Sequence, residues 1–377
     1  MKIDLHDLHS QYYKYKSEID FAIQKVLDHC QFIMGEEIYN FENALEKYLG
    51  CQSVITCASG TDALLLALMA IDLKPGDEVI TTPFTFIATA EVISLLGGKP
   101  IFADIQSDSY NIDPRKIEEK ITEKTRAIIP VSLYGQPADI NEINTLAEVY
   151  GNKLKRKIYV IEDAAQSLGA EYNGKKSANL TDIACLSFFP SKPLGCYGDG
   201  GAVTVNEAEL AEKIKSLRIH GQTKRYYHKY IGFNCRLDTL QAAILQVKLK
   251  YLDEEIVQRQ QIACYYNALL SKQDVVLPHV KKNRTSVYAQ YSIRHRHRAD
   301  LIEFLKSKNI PTAIHYPKPL HLQECFHSLG YTCGDFPIAE RIANEIVSLP
   351  MSAFITQEQQ KYVVEVIAEA IQHELVY

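Results

Sequence analysis

The residue best placed to do chemistry is Lys192, which lies in the loop SFFPSKPLG at 187–195. This loop is apolar, aromatic and bracketed by prolines, and it follows the short buried-strand pattern at 183–186. Burial disfavours the charged form of an amine, so this environment should lower the pKa of Lys192. A neutral lysine attacks an aldehyde to form a Schiff base, which an ammonium cannot do. The alternative is a structural lysine whose stem packs on Phe188 while its ammonium reaches water.

Asp163 is a second candidate, because it directly follows the apolar strand pattern at 158–162. Buried carboxylates are rare without a partner. One interpretation is a helix N-cap. The functional interpretation is a carboxylate that faces a heterocyclic nitrogen and keeps it protonated. Phe86 would then stack on the ring, and Gln166 would donate a hydrogen bond to a ring hydroxyl.

A third candidate is the turn at 58–62, between a short strand at 54–56 and an apolar helix at 63–70. Ser59 and Asp62 have the spacing of a capping box. A helix that begins at a glycine turn presents free backbone N–H groups and the positive end of its dipole. The turn therefore predicts a phosphate site, with the Thr61 hydroxyl as a further donor, although a simple capped turn has the same pattern.

These candidates all follow strands in a chain where strands and helices alternate. The predicted strands after the first are 78–82, 99–104, 127–133, 158–162, 183–188 and 202–205. Such alternation is typical of βαβ units and a mostly parallel sheet, in which sites gather at the carboxyl ends of the strands. We therefore expect an α/β fold with a mostly parallel central sheet flanked by helices.

The last third of the chain predicts a smaller α+β domain. A long helix, with a capping box at Asp238 and Gln241, should run to about Leu270 and connect the two parts. Short strands are expected at 288–293 and 310–316, and a terminal helix from about Gln357. We place the large domain at 1–250 and the small one at 251–377.

Composition and charge argue against several classes of protein, namely nucleic-acid-binding, membrane-spanning and metal-binding proteins. The net charge of -5 and the lack of a basic domain give no case for nucleic acid. No apolar run reaches the roughly 18 residues that a membrane helix needs. The nine cysteines show no metal spacing, and the N-terminal residues lack the apolar core of a signal peptide. We expect reduced thiols, a cytoplasmic location and no metal.

Taken together, the motifs resemble those of the DegT/DnrJ-type nucleotide-sugar aminotransferases. The resemblance covers nearly the whole chain in order and spacing, and is carried by SGTDAL at 59–64, PFTFIAT at 83–89, EDAAQS at 162–167, SFFPSKPLG at 187–195, GDGGA at 198–202, NCRLDTLQAA at 234–243 and HYPKPL at 315–320. It implies an aspartate-aminotransferase-like fold (fold type I) and pyridoxal 5′-phosphate as cofactor, with pyridoxamine 5′-phosphate formed during turnover.

The resemblance also assigns roles to the candidates. Lys192 becomes the Schiff-base lysine and proton carrier, and Asp163 the partner of the pyridinium nitrogen. The remaining predicted cofactor contacts are Gly60, Thr61, Phe86, Gln166, Ser187 and, from the partner subunit of a homodimer with shared active sites, Asn234. The predicted substrate contacts are Arg236 of the partner, His315, Tyr316, Cys30, Phe32 and Ser191.

Within the family, the chain is most similar to enzymes that aminate C3 of UDP-2-acetamido-2-deoxy-3-oxo-glucuronate with L-glutamate, for surface polysaccharide (O-antigen) synthesis. Alternatives are amination at C4 or of a non-uronic sugar, a sugar dehydratase, and a non-catalytic sensor that binds the cofactor. Dehydratases on this fold have histidine where this chain has Lys192. Two departures from the family pattern are the basic insert at 153–157 and Cys30, where glycine is usual.

Overall fold

The computed structural model describes residues 2–374, and its centre is a seven-stranded sheet. The strands, in chain order, are β1 (Ser53–Cys57), β2 (Glu78–Thr81), β3 (Lys99–Phe102), β4 (Thr125–Ile129), β5 (Tyr159–Asp163), β6 (Glu171–Tyr172), β7 (Lys175–Lys176), β8 (Ile183–Ser187), β9 (Gly201–Val205), β10 (Gln222–Lys224), β11 (Tyr227–His228), β12 (Tyr291–Arg294) and β13 (Ile346–Leu349).

The central sheet has the strand order β1-β9-β8-β5-β4-β2-β3. β9 is antiparallel to both of its neighbours, β1 and β8, and the remaining neighbours pair in parallel. The predicted α/β fold with a mostly parallel sheet is therefore confirmed. The loop between β8 and β9 turns back at the carboxyl end of β8, and Lys192 lies in that loop.

Helices cover both faces of the sheet and build the C-terminal part. In chain order they are α1 (Leu8–His29), α2 (Glu36–Leu49), α3 (Gly60–Ala70), α4 (Ala88–Leu95), α5 (Pro114–Glu118), α6 (Ile140–Leu154), α7 (Ala208–Leu217), α8 (Thr239–Leu249), α9 (Leu252–Leu270), α10 (Arg298–Ser307), α11 (Pro337–Glu345) and α12 (Gln357–Glu374).

The predicted strands of the first 205 residues all form, with small changes at their ends. The largest change is in β4, which ends at Ile129 instead of continuing to residue 133. Pro130 follows and cannot donate to the ladder, which explains the end of the strand. Only an isolated bridge between Val131 and Asp163 continues the pairing.

Two predicted elements were wrong. The single helix to Leu270 is two helices, because α8 ends at Leu249 and α9 begins at Leu252; the Asp238 side chain makes no cap hydrogen bond. The Gln241 side chain instead accepts from the backbone N–H of Tyr197 at 2.8 Å.

The strand expected at 310–316 does not form. Pro311 and Pro317 remove backbone donors from this stretch, and its contact with the small sheet is one isolated bridge, between Ala313 and Ser348. The strand expected at 288–293 begins only at Tyr291, because Tyr288 has a left-handed backbone with φ of 46°.

The C-terminal part has an apolar core of its own, built by α9, β12, α10, β13 and α12. Its fully buried residues include Tyr266, Tyr291, Leu305 and Ile367, and it also takes in Ile3 from the N-terminal segment. The domain division at residue 250 stays a prediction.

Three further findings concern membrane helices, metal sites and cysteines. Between residues 2 and 374 there is no helix long and apolar enough to cross a membrane. The same residues hold no group of three or more His, Cys, Asp or Glu side chains arranged for a metal ion. The nine cysteines, which all fall in this range, are free thiols.

Candidate active site

A cavity of about 480 Å³ lies at the carboxyl ends of β5 and β8, beside the first turn of α3. It brings together many of the residues predicted from the sequence: Gly60, Thr61, Phe86, Asp163, Gln166, Ser187, Ser191, Lys192, His315 and Tyr316. A larger surface groove of about 1010 Å³ lies beside the basic insert at 153–157 and includes none of them.

The N-terminus of α3 supplies backbone N–H groups to this cavity. Ser59 caps the helix by accepting from the N–H of Asp62 at 3.0 Å, which leaves the first N–H groups without a partner inside the helix. The helix begins tightly against β8, since a Cβ added at Gly60 would lie 2.7 Å from Cβ of Ser187. Thr61 and Ser187, which both carry hydroxyls, line the same cavity.

Asp163 ends β5 inside the cavity and is only 6% exposed. Its Oδ2 accepts from the Thr89 hydroxyl at 2.8 Å, and its Oδ1 accepts from the N–H of Ala165 at 3.2 Å. Burial raises the pKa of Asp163, while these two hydrogen bonds and the charge of Lys192 act in the opposite direction. The carboxylate is therefore held by specific donors in an apolar setting.

Lys192 faces the same cavity from the loop after β8. Its backbone N–H donates to the carbonyl of Phe189 at 2.9 Å, which fixes the turn that carries it. Burial lowers the pKa of Lys192, as the sequence predicted, and the negative charge of Asp163 partly opposes this shift. The amine is thereby brought closer to its neutral, nucleophilic form.

On the side of the cavity towards the C-terminal part, hydrogen bonds join Tyr134, Gln166 and Tyr316. The N–H of Tyr134 donates to Oε1 of Gln166 at 2.7 Å, and Nε2 of Gln166 donates to the hydroxyl of Tyr316 at 3.2 Å. Nδ1 of His315 lies 2.9 Å from the hydroxyl of Ser348. Burial and the charge of Lys192 lower the pKa of His315 to about 4, so its imidazole is neutral at pH 7.

Phe86 presents an open aromatic face at the mouth of the cavity. Its side chain is 54% exposed, and its ring centroid lies 6.2 Å from that of Tyr316. An exposed ring of this kind can stack on a planar ligand.

The other predicted residues, Cys30, Phe32, Asn234 and Arg236, do not line this cavity. Phe32 lies beside the start of α8, where the N–H of Thr239 donates to its carbonyl at 3.0 Å. Nε of Arg236 donates to Oδ1 of Asn234 at 2.9 Å. The predicted roles of Asn234 and Arg236 depend on a partner subunit and stay predictions.

The residues of the site that the sequence did not predict include Thr89, His6 and Gln290. Thr89 belongs to the same motif as Phe86, and its spacing of three residues from Phe86 was the available signal. His6 and Gln290 also line the cavity, but they come from distant segments whose approach no local pattern shows.

The model of the DegT/DnrJ/EryC1/StrS aminotransferase family matches residues 14–368. The chain belongs to this family. The comparison confirms the predicted family and the predicted class of enzyme.

Curated relatives are similar over almost their whole length. The chain is 48% identical to UDP-2-acetamido-2-deoxy-3-oxo-D-glucuronate aminotransferase of Pseudomonas aeruginosa, over 94% of this chain and 96% of the relative. It is 46% identical to a pleiotropic regulatory protein of Geobacillus stearothermophilus, over 99% and 100%. It is 40% identical to UDP-N-acetyl-3-dehydro-alpha-D-glucosamine 3-aminotransferase of Acidithiobacillus ferrooxidans, over 98% of each.

Solved structures confirm the fold. DesV of S. venezuelae superposes with a TM-score of 0.94 at 35% identity, covering 98% of both chains. NtdA of Bacillus subtilis, solved with bound pyridoxamine phosphate, has a TM-score of 0.90 at 31% identity, covering 98% of this chain and 85% of that one. These findings agree with the predicted cofactor.

The residues present fit pyridoxal phosphate. Unpartnered N–H groups and hydroxyls at the start of α3 suit a phosphate, and the tight contact of Gly60 with Ser187 leaves no room there for a side chain. The buried carboxylate of Asp163 suits a cationic ring nitrogen, and the amine of Lys192 suits an aldehyde.

The Thr89–Asp163 hydrogen bond gives a test of the site. We expect Thr89→Val to weaken binding of pyridoxal phosphate by about 10- to 100-fold, because a hydrogen bond to a charged group contributes about 1.5–3 kcal/mol. Fluorescence titration of the cofactor-free protein measures the affinity. Thr145→Val, at an exposed threonine on α6, is the matched control and should leave it unchanged. Equal affinities for both variants would contradict the role of Thr89.

The neutral state of His315 predicts a pH dependence of stability. The pKa of this histidine falls from 6.5 to about 4 on folding, so between these values the unfolded chain binds more protons. The stability that neutral burial provides is complete above pH 6.5 and is lost as the pH falls towards 4. Between pH 7 and pH 5, the free energy of unfolding should fall less for His315→Gln than for wild type. Urea denaturation at each pH measures this free energy.

Substitution of an exposed histidine provides the control for this experiment. His327→Gln should follow the wild-type pH dependence, because that side chain is exposed. A His315→Gln curve parallel to wild type would show that His315 is not buried in its neutral form.

Proposed function

We propose that this protein transfers the amino group of L-glutamate to C3 of UDP-2-acetamido-2-deoxy-3-oxo-glucuronate, giving the 3-amino sugar and 2-oxoglutarate. The observation that carries the proposal is the single cavity that joins the amine of Lys192, the buried carboxylate of Asp163 and the free N–H groups of α3. The 48% identical relative is named for this keto sugar, and the 40% identical relative for amination at C3 of a UDP sugar. Both names favour C3 over C4.

The cofactor would be held by the residues already described. The N-terminus of α3, with Thr61 and Ser187, would bind its phosphate, and Asp163 would face its ring nitrogen. When bound, pyridoxal phosphate supplies the aldehyde that accepts the amino group and a ring that takes up the charge developing at the reacting carbon.

Lys192 is the group that moves the proton. Its Nζ, whose pKa burial lowers, would take the proton from Cα of glutamate and pass it to the aldehyde carbon of the cofactor, since a base with a lowered pKa is effective near neutral pH. Asp163 would stabilise positive charge on the ring nitrogen throughout, and Thr89 and Ala165 keep the carboxylate in place. In the second half of the cycle Lys192 would take a proton back from that cofactor carbon and deliver it to C3 of the sugar.

A homodimer with shared active sites belongs to this proposal. Asn234 and Arg236 lie outside the cavity of their own chain, and the neighbouring segment at 32–33, which contacts residues 238–239, exposes Phe32 (44%) and Ile33 (47%). Large exposed apolar side chains of this kind are typical of an interface. Arg236 of the partner would bind a carboxylate in a bidentate fork, and the same arginine serves glutamate and the uronic acid.

His315 and Tyr316 would contact the sugar, and Cys30, Phe32 and Ser191 the nucleotide. A cytoplasmic location and a role in O-antigen synthesis are the remaining parts of the proposal. The free thiols agree with a cytoplasmic location, and a nucleotide-linked substrate agrees with O-antigen synthesis.

The second candidate function is a regulatory protein that binds the cofactor without turnover. One observation favours it, namely the 46% identity with a pleiotropic regulatory protein. The intact pair of Lys192 and Asp163 favours the enzyme, because regulation alone needs no amine of lowered pKa.

Direct assay distinguishes these functions. We expect the wild-type protein to convert the UDP-linked 3-keto uronate and glutamate into a 3-amino sugar, with NMR locating the new C–N bond. Lys192→Ala should abolish turnover, while Lys282→Ala, at an exposed lysine, should retain it. Amination at C4 would refute the proposed carbon, and cofactor binding without any turnover would favour the regulator.

Subunit mixing tests the shared site. Lys192→Ala and Arg236→Ala should each be inactive alone, but mixed subunits should recover about a quarter of wild-type activity, because half of the dimers then carry one intact site. Sedimentation establishes that the mixed species is a dimer. Full activity of Arg236→Ala alone, or no recovery in a mixed dimer, would contradict an arginine supplied by the partner.

A further inference from the structure

The N-terminal segment, residues 2–7, forms part of the wall of the active-site cavity. Ile3 is buried in the C-terminal core, and the carbonyl of Leu5 accepts from the N–H of Met351 at 3.0 Å. The carbonyl of Lys2 accepts from Nε2 of Gln359 at 2.9 Å. These contacts fix the backbone that leads into His6, whose imidazole lines the cavity.

Two side chains of this wall have unused hydrogen-bonding capacity. Nδ1 of His6 and Oε1 of Gln290 are buried, and neither has a hydrogen-bond partner among residues 2–374. Gln290 is only 8% exposed and lines the same cavity. Because buried polar atoms are nearly always hydrogen-bonded, two such atoms in one cavity wall indicate that a ligand completes them.

Both atoms can accept hydrogen bonds at neutral pH. An amide oxygen only accepts, and Nδ1 of a neutral imidazole accepts in the tautomer that carries its proton on Nε2. Burial, together with the nearby basic side chains of Arg259 on α9, His315 and Lys192, lowers the pKa of His6 to about 4, while a hydrogen bond with the backbone of Met351 acts in the opposite direction. The imidazole is therefore neutral at pH 7 and lies close to the reacting amine of Lys192.

We propose that His6 and Gln290 bind the hydrogen-bond donors that flank the reacting carbon of the keto sugar. The inference rests on the proposed function, in which C3 lies between the acetamido N–H at C2 and the hydroxyl at C4. Glutamate carries carboxylates, which are acceptors and cannot donate to Nδ1 of His6 or Oε1 of Gln290. The two side chains therefore select the sugar and contribute little to the amino donor.

The two half-reactions should respond differently to substitution. We expect His6→Leu and Gln290→Leu each to lower kcat/KM for the keto sugar by about 3- to 10-fold, the effect of one lost neutral hydrogen bond. The glutamate half-reaction, followed by cofactor absorbance in single turnover, should keep its wild-type rate.

Two further variants separate hydrogen bonding from packing. His6→Asn places an amide oxygen near the position of Nδ1 and should restore most of the loss. His9→Gln, at an exposed histidine that is the second residue of α1, should behave as wild type. Equal losses in both half-reactions, or failure of His6→Asn to restore activity lost in His6→Leu, would overturn the inference.

A binding measurement distinguishes this inference from the proposed function. Calorimetry on the pyridoxamine-phosphate form should show that UDP-N-acetylglucosamine binds more tightly than UDP, and that His6→Leu and Gln290→Leu reduce this preference by about 3- to 10-fold each. An unchanged preference would refute a sugar-binding role for the two residues. A reduced preference, with no amination of the uronate by wild type, would support the role and refute the proposed substrate.

Discussion

The site depends on one constraint: a buried carboxylate, that of Asp163, and a buried amine, that of Lys192, share one cavity. Desolvation raises the pKa of Asp163 and lowers that of Lys192, so each group alone would tend towards its neutral form. The donors from Thr89 and Ala165 act on the carboxylate only and lower its pKa, against the effect of burial. Hydrogen bonding therefore favours the anion at Asp163, while burial favours the free amine at Lys192, as transamination requires.

The reversed strand β9 explains how the sheet brings these groups together. Because β9 runs against β8, the connection between them turns back at the edge where β5 ends with Asp163. The same strand pairs with β1, so the first turn of α3 lies beside the Lys192 loop. The approach is close: a Cβ added at Gly201 would lie 2.3 Å from the carbonyl oxygen of Ser59. One antiparallel strand thus joins the phosphate end of the cavity to its reactive end.

Much of this arrangement was predictable from the sequence, because short apolar strands followed by polar residues identify the active edge of a parallel sheet. Lys192, Asp163 and the α3 turn were found in this way. The break between α8 and α9 was missed because both helices are apolar on the sides that pack, so their periodicity runs through the junction. His6 could not be predicted, since its place depends on contacts with Met351 and Gln359, more than 340 residues away.

The anchoring of residues 2–7 has a consequence for how the protein is made. This segment is synthesised before the central sheet, yet Met351 and Gln359, which hold it, are synthesised after the sheet. The nascent chain can assemble its central sheet early, but it completes the catalytic cavity only when residues 2–7 meet the segment that carries Met351 and Gln359. Release of a partly finished chain would therefore yield a folded sheet without a working enzyme.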